Sequence, residues 1–437
     1  VQKTNKLDRR EFLKATVSAA VAVGFPYIVP SSAIGNAGTI APSNRIVMGA
    51  IGVGHMGNRD MGKGFLRRDN VQIIAVCDVD KKFRDRAKRN CDEKYQTSDC
   101  KTYLDFRELI GRGDLDAVML ALPDHWHGVI SVAAASAGLD IHGQKPLART
   151  ISEGRAICDA VKRYGVVWQT GSQQRSERNS HRACELVRNG RIGKVHRVEV
   201  GLRDGGGSGI KKLLPVPEGL DWNMWLGPAP WREYMDFGGG GCHRSWRGIM
   251  DYSGGNLTDW GGHHIDIAKW GLGLERTGPI EIEGTGIYNK EGLYDVPTSY
   301  KFRCEYSNGV EMIVANNSQL PNGGGSTWYG DKGWIQVNRG HLDAEPKSVL
   351  DEVIGPDEIR LYKSRDHKGN FLDCIATRAE TVAPAEIAHR SISVALLGEI
   401  AMLTGRKLKW NPVTETFIND DEANKMLSRP MRSPWQI

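Results

Sequence analysis

The stretch RIVMGAIGVGHMGNRDMGKGF at 45–65 restricts this chain more than any other. An apolar run from Ile46 to Ile51 reads as a buried strand, closes on Gly52-x-Gly54-x-x-Gly57 and gives way to a helical pattern. The glycines have separate tasks: a tight turn, room for backbone to touch a pyrophosphate, and close packing of helix on strand. The helix start, with Met56 in its first turn, then offers free N–H groups to phosphates. By itself the pattern also fits a plain strand-turn-helix. The next strand, VQIIAVCD, favours a dinucleotide, because it ends at Asp78, 21 residues past Gly57, where a carboxylate can accept from the adenosine ribose hydroxyls. A carboxylate there repels a ribose phosphate, which favours NAD; Lys81 and Lys82 follow directly and keep NADP open.

The alternation continues with helices near 81–95, 105–111, 126–137 and 152–164 and strands DAVMLAL, LDIHG and VVWQT. This order implies right-handed crossovers, a parallel sheet, and ligands at the strand C-terminal ends. Two polar clusters fall there, PDHWH at 123–127 and GQKPLA at 143–148. Beyond 171 the texture changes. A Gly- and Trp-rich passage from 205 to 246 precedes strands in meander order (IEIEGTGIY, SYKFRCEY, GVEMIVANN, STWYGDKGWIQV) and a long helical segment, EIAHRSISVALLGEIAML. Meander order favours an antiparallel sheet.

The formal charge of +6 is half supplied by the N-terminus, where Lys3, Lys6, Arg9, Arg10 and Lys14 outnumber Asp8 and Glu11. The remainder is only mildly basic, which argues against a nucleic-acid surface. LDRREFLKATVSAAVAVGFPYIVPSSA resembles a twin-arginine export signal over 1–33, with Ala33 as a cleavage point and a linker over 34–44. Its apolar run is interrupted by Ser18, Gly24 and Pro26 and is too short for a stable membrane span. Eight scattered cysteines without a C-x-x-C pair point to neither zinc nor a disulfide framework.

Gly52-x-Gly54-x-x-Gly57, PDHWH, QKP at 144–146 and DWGGHHID at 259–266 together resemble, in order and spacing, the glucose-fructose oxidoreductase / inositol dehydrogenase / rhizopine-catabolism (Gfo/Idh/MocA) family. The resemblance implies an α/β fold: an N-terminal Rossmann domain over 45–170 and, over 171–437, an α/β substrate and oligomerisation domain with an open, mostly antiparallel sheet. It also implies a homodimer or homotetramer, and places Lys145 as the family's catalytic lysine and Asp259 and His263 as its Asp-x-x-x-His pair. Pro123, with His127 nearby, would line the nicotinamide. Gln144 departs from the family's glutamate, removing a charge that would favour the ammonium form of Lys145.

On a helix beginning near Thr258, Asp259, His263 and Asp266 share one face, and His264 turns toward Trp260 and Ile267. A carboxylate beside His263 fixes the imidazole tautomer and holds its pKa near neutrality. A metal site is disfavoured: the face offers one imidazole and Lys145 would repel a cation, so no metal is expected. Alcohol oxidation needs a base for the hydroxyl proton, assigned to His263. It also needs a donor to the developing alkoxide, assigned to Lys145, while Asp259 orients His263 or holds the substrate. Gln173, Arg175, Trp222 and Arg247 suit a carbohydrate, since aromatic planes stack on a sugar face and amide or guanidinium donors reach its hydroxyls.

These features together describe a periplasmic, NAD-dependent oxidoreductase of a sugar, polyol or glycoside that crosses the twin-arginine translocase folded, with its cofactor tightly held. One rival is a glycoside hydrolase or lyase that works through transient oxidation and elimination. A non-catalytic carbohydrate-binding protein would have lost the lysine or the Asp-x-x-x-His pair.

Overall fold

The first sheet is built from the six short apolar runs that alternate with helices. Its strands are β1 (Ile46–Ile51), β2 (Val71–Cys77), β3 (Lys101–Tyr103), β4 (Ala117–Leu120), β5 (Asp140–Gly143) and β6 (Trp168–Thr170). They lie in the order β3-β2-β1-β4-β5-β6, and every pairing is parallel. The computed structural model describes residues 44–206, 211–238 and 241–437, so the twin-arginine segment and the linker through residue 43 lie outside the described residues. The strand order reverses between β1 and β4, the point at which an open parallel sheet leaves a crevice beyond its strand ends. β4 is buried along its whole length, as a strand covered on both faces must be.

The helices of this lobe are α1 (His55–Asp60), α2 (Lys81–Tyr95), α3 (Phe106–Ile110), α4 (Asp124–Ser136) and α5 (Ile151–Tyr164). Local chemistry sets their limits. The Asp80 side chain accepts from the Lys82 N–H at the start of α2, and Thr150 accepts from the Glu153 N–H at the start of α5, which stops at Gly165 with φ of 65°. PDHWH is not a loop: Pro123 is the N-cap of α4 and Asp124 its first residue, two positions earlier than its apolar pattern predicts.

The second sheet has nine strands: β7 (Val195–Leu202), β8 (Glu281–Tyr288), β9 (Pro297–Glu305), β10 (Glu311–Asn316), β11 (Gly325–Gly330), β12 (Gly333–Asn338), β13 (His341–Glu345), β14 (Leu408–Asn411) and β15 (Thr416–Phe417). Their order is β13-β12-β11-β7-β10-β9-β8-β14-β15, antiparallel except for the β7–β10 pair. The fold is thus α/β, a parallel Rossmann sheet joined to a mostly antiparallel one. Helices α6 (Arg178–Arg188), α7 (Trp222–Leu226), α8 (Cys242–Ser245), α9 (Asn256–Leu272), α10 (His367–Thr377), α11 (Ala385–Thr404) and α12 (Asp421–Lys425) complete the chain. α9 and α11 pack on each other and on one face of the sheet. A Cβ on Gly398 would sit 2.6 Å from the Phe302 ring, so glycine lets α11 settle onto β9. α11 has the length and apolarity of a membrane span, yet 83% of its apolar window is buried inside the protein.

The Gly- and Trp-rich passage returns to the first sheet as a strap, described over residues 211–238 and 241–252. The Lys81 N–H donates to Gly219 O (2.9 Å) and the Asp221 N–H to Val79 O (3.0 Å), which fixes the strap against the β2–α2 turn. Its own aromatics hold it together: Trp222 stacks on Trp225 at 4.8 Å between ring centroids, with Tyr234, Phe237 and Tyr252 around them.

Candidate active site

A cleft of about 460 Å³ opens at the reversal point, lined by Gly52, Gly54, Met56, Gly57, Asp78, Pro123, Gln144 and Lys145 and, from the strap, by Trp225, His243, Trp246 and Arg247. Gly52 has φ of 76°, and a Cβ there would lie 2.4 Å from Ala121 O; a Cβ on Gly57 would lie 1.8 Å from Gly52 O. No other residue fits either position. A Cβ on Gly54 would meet nothing nearer than the Phe83 ring at 3.8 Å, leaving backbone open to a phosphate. Asp78 accepts from the Val53 N–H (2.8 Å) and the Asp80 N–H (3.0 Å), one bond to each oxygen. Each oxygen keeps a second lone pair for a ribose hydroxyl. Burial raises the Asp78 pKa, an effect those N–H groups partly offset. The cradle therefore fits a dinucleotide.

Lys145 stands at the C-terminal end of β5, and the Lys145–Pro146 peptide is cis. Its Nζ donates to Asp259 Oδ1 (2.6 Å) and Asp259 O (2.9 Å) in the first turn of α9. Arg247 Nε donates to the same Oδ1 (3.0 Å). Burial alone would raise the Asp259 pKa, but Lys145 and Arg247 outweigh it and hold the carboxyl well below the usual carboxylate range. His263 lies one turn along α9, 5% exposed, with its Nδ1 buried and unpartnered, and, like Asp259, it is not itself among the residues that line the cleft. Burial first, then the Lys145 charge, pushes its pKa well below the ordinary value, so its imidazole is neutral. This corrects the expectation of a near-neutral pKa: the Asp259 carboxylate serves the lysine and Arg247 rather than the imidazole. Those two cations also leave it poorly suited to a metal ion.

Other residues singled out by sequence lie elsewhere. His127 does not line the cleft; its ring nitrogens face Pro146 O (2.6 Å) and Leu122 O (3.0 Å), tying backbone together. Arg175 is 2% exposed and forks onto Asp266 at 2.7 and 2.9 Å, a core ion pair that cannot reach substrate. Trp222 is 5% exposed, with its Nε1 donating to Arg232 O (2.7 Å), and is a strap core residue. Gln173 sits on the turn Gln173–Ser176 just past β6. His264 stacks on Trp260, as its apolar company suggests. Gln144 does not face the lysine: its amide donates to Asp60, which also takes Lys368 Nζ at 3.1 Å. A glutamate at 144 would set two carboxylates together, so the amide answers to Asp60.

Three partnerships around the cleft have no sequence signal. Arg86, a helix away, donates to Val53 O and Gly54 O (3.0 Å each) and braces the glycine turn. His243 of the strap bonds Asp80 Oδ2 at 2.9 Å; burial opposes its charge, but Asp80 raises its pKa to about 10. Ser253 donates to the buried Asp124 (2.7 Å), whose pKa burial raises. Each depends on a partner at least 32 positions away, beyond any periodicity.

Two family models match this chain. The NAD-binding Rossmann fold model of the Gfo/Idh/MocA oxidoreductases matches 46–172, and the C-terminal alpha/beta domain model of the same family matches 205–437. The uncharacterized oxidoreductase YrbE of Bacillus subtilis (strain 168) is 24% identical over 347 residues, 78% of this chain and 87% of that protein. The alpha-N-acetylgalactosaminidase of Shewanella oneidensis is 30% identical over 178 residues, but that match covers only 36% of this chain and 38% of the relative. The aldose-aldose oxidoreductase of Caulobacter crescentus superposes with a TM-score of 0.60 at 18% identity, covering 84% of this chain and 99% of that one.

Proposed function

The chain belongs to the Gfo/Idh/MocA oxidoreductase family, and from that premise we propose that it oxidises a secondary hydroxyl of a sugar, polyol or glycoside, or reduces the matching carbonyl, with a dinucleotide it keeps through the cycle. The observation that carries this reading is the placing of Lys145, clasped by Asp259, in the cleft that the glycine turn and Pro123 line. When bound, the dinucleotide supplies the hydride acceptor and donor. Lys145 Nζ donates to the hydroxyl oxygen and stabilises its developing negative charge. Neutral His263 accepts the hydroxyl proton, which a protonated imidazole could not. Asp259 holds the ammonium in position, and Arg247 holds the Asp259 carboxylate. Asp78 favours NAD.

Tight retention is supported by the strap, which brings His243, Arg244, Trp246 and Arg247 over the cleft and is fastened by the Asp80–His243 bond. A captive cofactor needs a second substrate to restore it; the name of the aldose-aldose oxidoreductase pairs two sugars for that protein. In the same reading, 1–33 sends the folded chain through the twin-arginine translocase to the periplasm. Two or four copies cover the sheet face that α9 and α11 leave open.

Lys145→Met tests the proposal. The purified variant is expected to keep its dinucleotide, read by absorbance, and to lose sugar-dependent reduction by at least about 100-fold; unchanged turnover would overturn the lysine's role. The glycoside-cleaving alternative draws on the 30% identity to an alpha-N-acetylgalactosaminidase. It predicts sugar release with no lasting change at the nicotinamide absorbance, whereas net oxidation predicts accumulating reduced dinucleotide.

A further inference from the structure

Beyond the Lys145–Asp259 pair, away from the dinucleotide cleft, two arginines meet on one tryptophan. Arg203 directly follows β7 and Arg339 occupies the turn between β12 and β13, so the ends of two strands of the second sheet deliver them to α9. The Arg203 guanidinium lies 4.1 Å and that of Arg339 4.8 Å from the centroid of Trp260, whose ring is 6.0 Å from that of His263. Neither guanidinium has a carboxylate or carbonyl partner among the described residues.

The charges here do not cancel. Five cationic side chains, Arg59, Lys145, Arg203, Arg247 and Arg339, stand against three carboxylates, Glu177, Asp204 and Asp259. Asp259 is committed to Lys145 and Arg247, and Asp204 accepts from Ser318 Oγ (2.8 Å). Arg203 and Arg339 are exposed at the surface; desolvation lowers the Arg339 pKa, Glu177 and Asp259 oppose that, and the charges of Arg203 and Arg59 add to it. Gathering guanidiniums that repel one another costs free energy that an arriving anion would recover. Arg59 also lines the dinucleotide cleft and can serve its phosphates, but Arg203 and Arg339 do not.

We infer that the substrate is an anionic carbohydrate, a sugar or glycoside bearing a carboxylate or phosphate that lies against Arg203 and Arg339 while its reacting hydroxyl faces Lys145 and His263. The paired guanidiniums present forked donors to the anion, and Trp260 holds them in place. The choice of hydroxyl rests on the oxidoreductase reading; the anion site itself does not.

The test is titration calorimetry on the full chain with its dinucleotide bound, using glucuronate against glucose, galacturonate against galactose, and glucose 6-phosphate against glucose, with inorganic phosphate as control. At least one acidic sugar is expected to bind about tenfold or more tightly than its neutral parent at low ionic strength. That advantage should shrink with salt and disappear in the Arg203→Gln/Arg339→Gln double variant, which should retain its dinucleotide. A preference confined to the sugar phosphate would mark the anion as a phosphate ester, and one confined to the uronates as a carboxylate. Equal affinity within every pair, or a preference that survives both substitutions, would overturn the inference. Selective binding of an acidic sugar with no dinucleotide reduction would uphold the anion site and overturn the oxidoreductase reading instead.

Discussion

His263 can act as a base only while its imidazole is neutral, and its surroundings keep it so. Burial removes the water that would solvate an imidazolium, and Lys145 and Arg339 add like charge; Asp259 pulls the other way, but its carboxylate is bound to two cations. With the pKa pushed well below 6.5, the acid limb of kcat/KM belongs below pH 6.5, and activity should hold as pH falls through 6.5. A pH–rate profile checks this, and a limb at or above 6.5 that vanishes in His263→Gln would contradict it. The placing of Asp259 and His263 one helical turn apart, and of Lys145 just past a strand, was readable from spacing. Their partners were not readable. Arg175 is claimed by Asp266, 91 positions on, and a guanidinium bound for the core looks in sequence like one bound for a ligand.

Elements with a clean period were legible, and irregular ones were not. The alternation of apolar runs and helices gave the parallel sheet, because burial on both faces leaves a plain sequence trace. The strap has no period, since its shape comes from aromatic packing and a few bonds to the β2–α2 turn, so a core tryptophan such as Trp222 reads in sequence like one that faces the cleft, as Trp225 and Trp246 do. The His243–Asp80 pair fastens it and makes the fastening depend on pH. The folded pKa of His243, about 10, lies above the ordinary 6.5, so the folded state binds the extra proton more tightly. The histidine's contribution is therefore full below pH 6.5, where Asp80, whose pKa despite burial is held below the ordinary value by His243, is still ionised, and is lost as pH rises through about 10. Urea unfolding of the wild type and His243→Gln across that range should show an advantage that fades toward pH 10. A difference that is constant or grows with pH would refute the clasp.

At the scale of the whole molecule, the two sheets and the strap share one buried charge pair. Arg149, between β5 and α5, forks onto Glu399 of α11 at 2.8 and 3.1 Å, and its Nε donates to Met250 O of the strap (2.9 Å). Both side chains are nearly excluded from water, at 9% and 4% exposed. Burial alone would lower the Arg149 pKa, yet Glu399 outweighs it and raises it, which keeps the guanidinium charged in its buried setting. Such a pair adds little over an apolar replacement but is costly to break from one side, because the survivor is a buried charge without a partner. Arg149→Ala is therefore expected to destabilise the protein by about 3–5 kcal/mol, while Arg149→Met/Glu399→Leu should recover most of that loss. Because the arginine joins both lobes to the strap, the single variant should also release its dinucleotide at a lower urea concentration than it unfolds, whereas in the wild type the two events coincide. Calorimetry with absorbance of the bound dinucleotide reads both. A loss below about 1 kcal/mol in Arg149→Ala, or a double variant as unstable as the single, would show that the lobes are held together by apolar packing alone.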